Sequence, residues 1–442
     1  MSNKPLKFDT IKIRGGYNSE DHNHSVSVPI YETAAFDIGG TKRAKKLFSF
    51  SEPGFIYSRL SNPTVEILEK RVSALDGAAG AIALSSGMAA ITYTLLNIAE
   101  DGGRILTTPY LYGGTLDGFK KIYPKFGIKI DKFGDINNPE ALAKQIKPDT
   151  KAIFVETISN PNAVVADIEN IAKVAHEHDI PLIVDNTLAT PYLLNPIKYG
   201  ADIVVYSATK ALNGHGNVIA GLILESGKFN WANGKFPQFL EPYYTLRDSN
   251  DKPRNFLETF PEFPFTTRIR MNYLNYFGAA LSPFDAYLVL LGLETLSERI
   301  EKQLSNTKKV ISYLQENDNV QWIKYPSLST SPYKKLSEKY LPKGSGSVFS
   351  FGINGTDSEI DEFLDSIKLF SYHTNIGDSR SLIVNSPKTT HGELTPEEKE
   401  LSDIPYNTIR LSIGLEDPED LIDDLDQAFE KTFSKKLEKA IK

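Results

Sequence analysis

The 442-residue chain contains no cysteine. Disulfides, thiolate zinc sites, iron–sulfur clusters and cysteine nucleophiles are therefore excluded. Histidine is scarce, at seven residues. His176 and His178 are two apart on an expected helix and so face different ways. His215 and His391 sit in Gly- or Thr-rich loops, and no metal site is expected. Positive charge is not in excess: 49 Lys and Arg stand against 56 Asp and Glu, a net charge of −7. That argues against a nucleic-acid protein, which needs a basic face to neutralise phosphates. No uncharged apolar run is long enough to span a membrane, about 18 residues. The opening MSNKPLKFDTIKIRGG has no apolar segment of the secretory type. A soluble, cytoplasmic protein is expected.

What is present is ordinary for a globular chain: 40% apolar and 24% charged residues. A chain of this length can bury most of its apolar surface without disulfide or metal support. Residues 1–60 are rich in Gly, Ser and Asn without sustained periodicity and read as an arm that packs on something else. From about residue 61 to 225, within a first domain over 61–280, short apolar runs alternate with helical patterns. The runs are Ala81–Ser85, Arg104–Thr107, Ala152–Val155, Pro181–Val184, Ile203–Tyr206 and Leu222–Leu224. Helices are expected at Thr64–Leu75, Met88–Ala99 and Ile168–His178. Strands that are apolar throughout, alternating with helices, predict an α/β fold with a mostly parallel sheet covered on both faces.

The rhythm is lost at about 226–270, an aromatic, Pro-bearing stretch read as an insertion over the active-site entrance. One long helix is expected at Pro283–Gln315. A smaller α/β domain then runs to residue 442, within a C-terminal domain over 281–442. Its strands are expected at Val320–Tyr325, Val348–Phe351, Leu382–Val384 and Thr408–Ile413.

Ligands of open parallel sheets bind beyond the carboxyl ends of the strands. Ser86, Gly87 and Met88 follow the first strand and open a helix. Its N–H groups and dipole suit a phosphate, although Ser-Gly there also reads as a simple N-cap. Glu156 and Asn160 follow AIFVET and could be ordinary loop polarity. Asp185 ends the strand PLIVD, where a carboxylate is costly unless paired; capping the next helix is the alternative. Lys210 leaves a buried strand beside Ser207 and Thr209. Desolvation would make it a better nucleophile, while a salt bridge or a reach to water is the plain alternative. Arg410 sits inside the strand TIRLSIG and wants a carboxylate, from a ligand or from a structural Glu. Together these groups suit pyridoxal 5'-phosphate, which needs an amine for its aldehyde, an anion for its ring nitrogen and donors for its phosphate. The Arg would serve the amino-acid carboxylate.

Several longer motifs carry a resemblance. They are Tyr57-Ser58-Arg59 with Asn62-Pro63-Thr64, Ser86-Gly87-Met88-Ala89-Ala90, Val184 to Tyr192, and Ser207-Ala208-Thr209-Lys210 followed by Gly214-His215-Gly216. In this order they resemble the Cys/Met-metabolism pyridoxal-phosphate enzymes, over residues of about 10 to 435. Leu111 to Thr115, Gly278 to Leu296, Tyr340 to Phe351, Asn375 to Asp378 and Thr389-Thr390-His391 are most similar to the O-acetylhomoserine sulfhydrylase branch of that family.

The resemblance implies a fold type I transferase and a γ-replacement on O-acetyl-L-homoserine. Sulfide would yield homocysteine and methanethiol would yield methionine, with acetate released. It implies that Lys210 forms the Schiff base and shuttles protons. It implies that Asp185 pairs with the ring nitrogen and that Tyr112 stacks on the ring. Ser86, Gly87, Met88, Ser207 and Thr209 would hold the phosphate, and Asn160 the ring hydroxyl. Arg410 and Asn375 would take the substrate carboxylate. Tyr57 and Arg59 would reach into the neighbouring subunit's site, with residues 1–60 packing across that interface in a tetramer built from two dimers. A γ-lyase or a cystathionine γ-synthase on the same scaffold is the alternative. Gly114, where lyases often carry a Cys, favours the transferase. A non-catalytic Rossmann-type module would need a G-x-G-x-x-G turn, which is absent. Three segments depart from the family pattern: Tyr243-Tyr244-Thr245, Asn385 to Lys388, and Tyr206 in place of a usual His. The first two are expected to shape the substrate side-chain pocket and its channel.

Overall fold

The computed structural model describes residues 5–248 and 250–440. The outermost residues of the expected arm and C-terminal domain, 1–4 and 441–442, lie outside these. The larger sheet has seven strands: β1 (Gly80–Leu84), β2 (Gly103–Thr107), β3 (Ile128–Lys132), β4 (Thr150–Glu156), β5 (Leu182–Asp185), β6 (Ile203–Ser207) and β7 (Gly221–Glu225). Their order is β1-β7-β6-β5-β4-β2-β3. Only β7 runs antiparallel to its neighbours. The carboxyl ends of the other six strands therefore share one edge.

The strands are buried on both faces, which is why they read as continuous apolar runs. Val204, Tyr206, Leu222 and Leu224 enter one core with the helices Pro63–Asp76 and Ile168–Glu177. Ile203, Val205 and Ile223 enter the other with the helix Gly87–Ile98. Strand β3 was not anticipated. Its sequence IKIDK alternates with charge because it is the sheet's edge, where one row of side chains meets water.

A hairpin of β8 (Tyr243–Arg247) and β9 (Pro253–Arg254) follows. The segment around it is less a lid than expected. Trp231 is buried, stacks on Phe265 at 5.0 Å between ring centroids, and touches Phe236 and Phe239. The buried Glu225 anchors this cluster by accepting Trp231 Nε1 (3.3 Å), Phe265 N (3.1 Å) and Thr266 N (2.9 Å). Burial pushes its carboxyl up to about 7. Glu225 ends an antiparallel strand, so the cluster sits at the sheet edge away from the shared carboxyl ends.

The expected single helix over 283–315 is two, Pro283–Glu294 and Leu296–Glu316, broken at Thr295. The second sheet is antiparallel, in the order β10 (Val320–Lys324), β11 (Val348–Ile353), β13 (Thr408–Ser412) and β12 (Leu382–Asn385). It builds its own core with Phe363 and Phe429.

The helix Phe8–Arg14 packs on this chain. Lys12 is 1% exposed and donates to Glu298 Oε1 at 2.6 Å, and Arg71 Nε donates to the Gly15 carbonyl at 3.0 Å. No helix among the described residues is long and apolar enough to cross a membrane.

Tyr206 is fully buried under the sheet. Its hydroxyl donates to Asp76 Oδ2 at 2.6 Å and accepts from Asn186 Nδ2 at 2.8 Å. Removing it strands a buried carboxylate oxygen, which costs about 1–3 kcal/mol. Tyr206→Phe is expected to melt several degrees below wild type by differential scanning fluorimetry. An unchanged melting temperature would show that Asp76 finds another partner.

Candidate active site

A cavity of about 250 Å³ opens at the shared carboxyl edge of the large sheet. The parallel strands that border it deliver functional groups at or beyond their last residues. This is the geometric consequence of parallel strands: their loops emerge together.

Lys210 follows β6 on a turn that is fastened from several sides. The buried Arg299 donates to the carbonyls of Ala211 (2.9 Å) and Gly292 (2.7 Å). Gly292 lies so near that a Cβ there would collide with the Asn213 carbonyl. Gly377, with φ +64°, brings the loop before β12 to within van der Waals reach of Ala211. Lys210 Nζ donates to Asn375 Oδ1 at 2.7 Å, and Asn375 Nδ2 donates to the buried Asp378 at 3.2 Å. Burial, reinforced by the Arg410 charge, lowers the Lys210 ammonium to about 8. A substantial neutral fraction near pH 7–8 is what a nucleophilic amine needs.

Asp185 ends β5 and faces the same cavity. Thr187 N donates to its Oδ1 at 2.9 Å, and the Thr187 hydroxyl accepts from Ser207 N at 2.8 Å. Thr187 thus joins the ends of β5 and β6. In register beside Asp185 stands Glu156, at the end of β4. Glu156 is 7% exposed. Burial raises the pKa of both carboxyls, and the neighbouring Asp185 charge raises that of Glu156 further. Two carboxylates side by side at low dielectric call for a cation between or beside them.

The helix Gly87–Ile98 points its N-terminus at the cavity, with Ser86 as N-cap accepting Ala89 N at 3.1 Å. It can lie this close because of two glycines. A Cβ on Gly87 would stand 2.7 Å from Ser207 Cβ, and one on Gly221 would collide with the Ser86 carbonyl. Tyr112 stands at the mouth, 42% exposed, with its backbone N–H donating to Glu156 Oε1 at 2.7 Å. Behind it the buried His391 donates from Nε2 to the Leu111 carbonyl at 3.3 Å. Burial holds the His391 imidazole down to about 4, so it remains neutral.

Arg410 lies in the middle of β13, 2% exposed, with no carboxylate partner among the described residues. It donates to Asn160 Oδ1 (3.4 Å) and to the Asn375 carbonyl (3.1 Å), while its Nε has no partner. A structural Glu, the plain alternative, is therefore not what it serves. The guanidinium is left ready for a carboxylate.

Of the expected set, Ser86, Gly87, Met88, Tyr112, Asn160, Asp185, Ser207, Thr209 and Lys210 line the cavity, and Asn375 and Arg410 bond to its lining. Tyr57 and Arg59 do not reach it. Arg59 instead stacks over its own Tyr57 ring (5.1 Å) and donates to Asn275 Oδ1 (3.4 Å). No described residue of 226–270 lines this cavity, so the expected cover is not seen there. Asn385 to Lys388 also lie outside it: Asn385 caps its own turn at Lys388 N (3.0 Å) and reaches the Tyr406 carbonyl (3.2 Å). Thr187 and Asp378 carry no role in the sequence reading, and Glu156 reads there as loop polarity. Their signal is positional: Glu156 ends β4, Thr187 stands two residues beyond Asp185, and Asp378 three beyond Asn375.

The family model described as Cys/Met metabolism PLP-dependent enzyme matches residues 9–430. The chain belongs to this family. It is 40% identical to the O-acetyl-L-homoserine sulfhydrylase of Leptospira meyeri, over 96% of both chains. It is likewise 40% identical to the homocysteine/cysteine synthase of Saccharomyces cerevisiae, over 97% of this chain and 99% of that one. A solved structure of a putative O-acetylhomoserine (thiol)-lyase from Campylobacter jejuni superposes with a TM-score of 0.91 at 38% identity, over 96% of this chain and all of that one. That structure carries a pyridoxyl-lysine monophosphate. The fold is accordingly the PLP-dependent transferase fold, with a mostly parallel sheet and a smaller second sheet.

The residues of this Cys/Met-family chain fit the cofactor. A desolvated amine faces the cavity, an anionic pair suits a protonated ring nitrogen, and a glycine-lined helix start suits a phosphate. An aldehyde is attacked only by the neutral amine. The rate at which the cofactor-free protein takes up pyridoxal phosphate is therefore expected to rise about tenfold per pH unit below 8 and level off above it. Stopped-flow absorbance measures this. A flat profile between pH 6 and 9 would mean that Lys210 is already neutral at pH 6.

Proposed function

We propose that this chain is an O-acetyl-L-homoserine sulfhydrylase, replacing the acetate at Cγ with sulfide, or with methanethiol, to give homocysteine or methionine. The observation that carries it is the combination of a buried Arg410, paired with no carboxylate among the described residues, with Lys210 and Asp185 around one cavity, in a chain 40% identical to an enzyme of that name. When bound, pyridoxal phosphate supplies an electron-poor ring that draws electrons away from the substrate's Cα.

Each residue then has a defined task. Arg410 grips the substrate carboxylate with its planar fork and so fixes the amino acid's orientation. Lys210 takes the proton from Cα and returns it, its basicity set by burial and by Arg410. Asp185 holds positive charge at the ring nitrogen, which keeps the ring electron-poor. Ser86, Gly87, Met88, Ser207 and Thr209 seat the phosphate, and Asn160 takes the ring hydroxyl. Tyr112 covers one ring face and stands where the leaving acetate departs. Asn375 holds the Lys210 amine when it is free and shares Arg410 through its carbonyl.

The finer assignments follow the same reading. Tyr57 and Arg59 complete a neighbouring subunit's phosphate site, which is supported by their standing outside their own cavity and by Tyr57 being 41% exposed. The protein is then a homotetramer of two dimers, with part of residues 1–60 lying across the dimer contact. A cytoplasmic place in methionine biosynthesis goes with the substrates. The large unit over 61–280 binds the cofactor, and that over 281–442 supplies Arg410 and Asn375.

Purified protein is expected to form homocysteine from O-acetyl-L-homoserine only when sulfide is present. Oxobutyrate without sulfide would mean a γ-lyase instead. Lys210→Ala is expected to abolish turnover. Arg410→Ala is expected to raise KM for O-acetyl-L-homoserine about a hundredfold with a smaller change in kcat, since it removes a charged anchor. An unchanged KM would remove Arg410 from the substrate site.

A further inference from the structure

The side chain of Glu156 is bound to two elements at once. Its Oε1 accepts the backbone N–H of Tyr112 at 2.7 Å, and its Oε2 accepts that of Asn160 at 3.3 Å. Tyr112 opens the helix Gly113–Lys121, and Asn160 belongs to the loop after β4. These are the residues that face a cofactor ring from above and from its hydroxyl edge. Among the described residues, no other single side chain bonds to the backbone of both. Glu156 itself lines the cavity and stands in strand register with Asp185.

The arrangement is expensive. A carboxylate 7% exposed next to a second carboxylate is destabilised by lost hydration and by repulsion. A glutamine would avoid the repulsion. It could not, however, accept both N–H groups, because one of its two terminal atoms is itself a donor. Only an acceptor at both ends spans these two amides. An aspartate has two acceptors but is one methylene shorter.

We infer that Glu156 is a positioning residue for the cofactor: a clamp that fixes the distance between the Tyr112 ring and the Asn160 side chain, and so the slot into which the cofactor ring fits. This rests on the cofactor assignment above. A second effect follows from its place beside Asp185. When ionised, the clamp adds negative potential where the ring nitrogen carries its proton, so the protonated ring and the ionised Glu156 favour each other.

The test compares wild type, Glu156→Gln and Glu156→Asp, each stripped of cofactor and titrated with pyridoxal phosphate by absorbance. Both variants are expected to bind it about tenfold more weakly, the loss of one charge-assisted hydrogen bond. Hydrogen–deuterium exchange is expected to quicken in peptides spanning 109–114 and 157–164 and nowhere else. The melting temperature of the stripped protein serves as control. A merely structural role would lower it and leave the affinity of the folded fraction unchanged, and that result would overturn the clamp. Wild-type affinity in Glu156→Asp would overturn it as well, by showing that charge alone suffices; if the Gln variant does not fold, this variant decides. Wild-type protein that binds no pyridoxal phosphate would overturn both this inference and the proposed function, whereas normal wild-type binding with unaltered variants overturns this inference alone.

Discussion

Placing Glu156 and Asp185 in register at the ends of adjacent parallel strands is unfavourable by itself, and much of the site is arranged around that fact. Each carboxylate loses water and each feels the other. Backbone amides offset part of the cost: Tyr112 and Asn160 donate to Glu156, and Thr187 donates to Asp185. The remainder is a demand for positive charge inside the cavity. A protonated ring nitrogen meets that demand, so binding energy and site electrostatics favour the same ligand. The amine cannot meet it, because Lys210 is held on the Asn375 side, where Arg410 opposes its protonation.

That separation depends on the stiffness of the Lys210 turn. An amine with four rotatable bonds gains nothing from a lowered pKa unless its backbone is fixed. Here the fixation comes from outside the large sheet. Arg299, from the helix Leu296–Glu316, binds the Ala211 carbonyl, and the loop carrying Asn375 and Gly377 closes over the other side. The break at Thr295 matters for this reason. It lets Gly292 touch the turn while Arg299, seven residues on, turns back to the Gly292 carbonyl. A continuous helix over 283–315, as periodicity alone suggests, would not need the bend and could not offer both contacts.

Six of the seven large-sheet strands were legible because burial on both faces writes an unbroken apolar run, and the seventh, β3, was not because an edge strand alternates with charge. Lys210, Asp185 and Arg410 were legible for the opposite reason: charge inside an apolar strand context is conspicuous. Glu156 has the same context yet looked like a loop residue, since its partners are backbone amides forty-four and four residues away and leave no side-chain pattern. The Thr295 break was hidden because buried apolar positions continue at helical spacing through it, from Leu293 to Leu296 and Ile300. The insertion misled through its aromatics. Trp231, Phe236, Phe239 and Phe265 suggested an entrance cover, but a cluster this buried is core, and Glu225 ties it to the far sheet edge.

The three departures from the family pattern bear differently on the site. Tyr206 points away from the cavity, and its hydroxyl bridges Asp76 and Asn186, the residue after Asp185. It supports the strand end from beneath. The segment Asn385 to Lys388 is also one layer removed. Lys388 pairs with Asp357 and Asp361, but those carboxylates are exposed and such pairs contribute little. Its geometric consequence lies in the next three residues. Thr390 presents its carbonyl to Gly113, where any Cβ would collide, and His391 holds the Leu111 carbonyl. Both contacts press on the loop that carries Tyr112, whose amide Glu156 holds from the inside. Through these contacts the segment is linked to the loop that carries Tyr112. None of the cavity-lining residues lies in this segment, so it can differ from the family while Lys210, Asp185 and Arg410 do not.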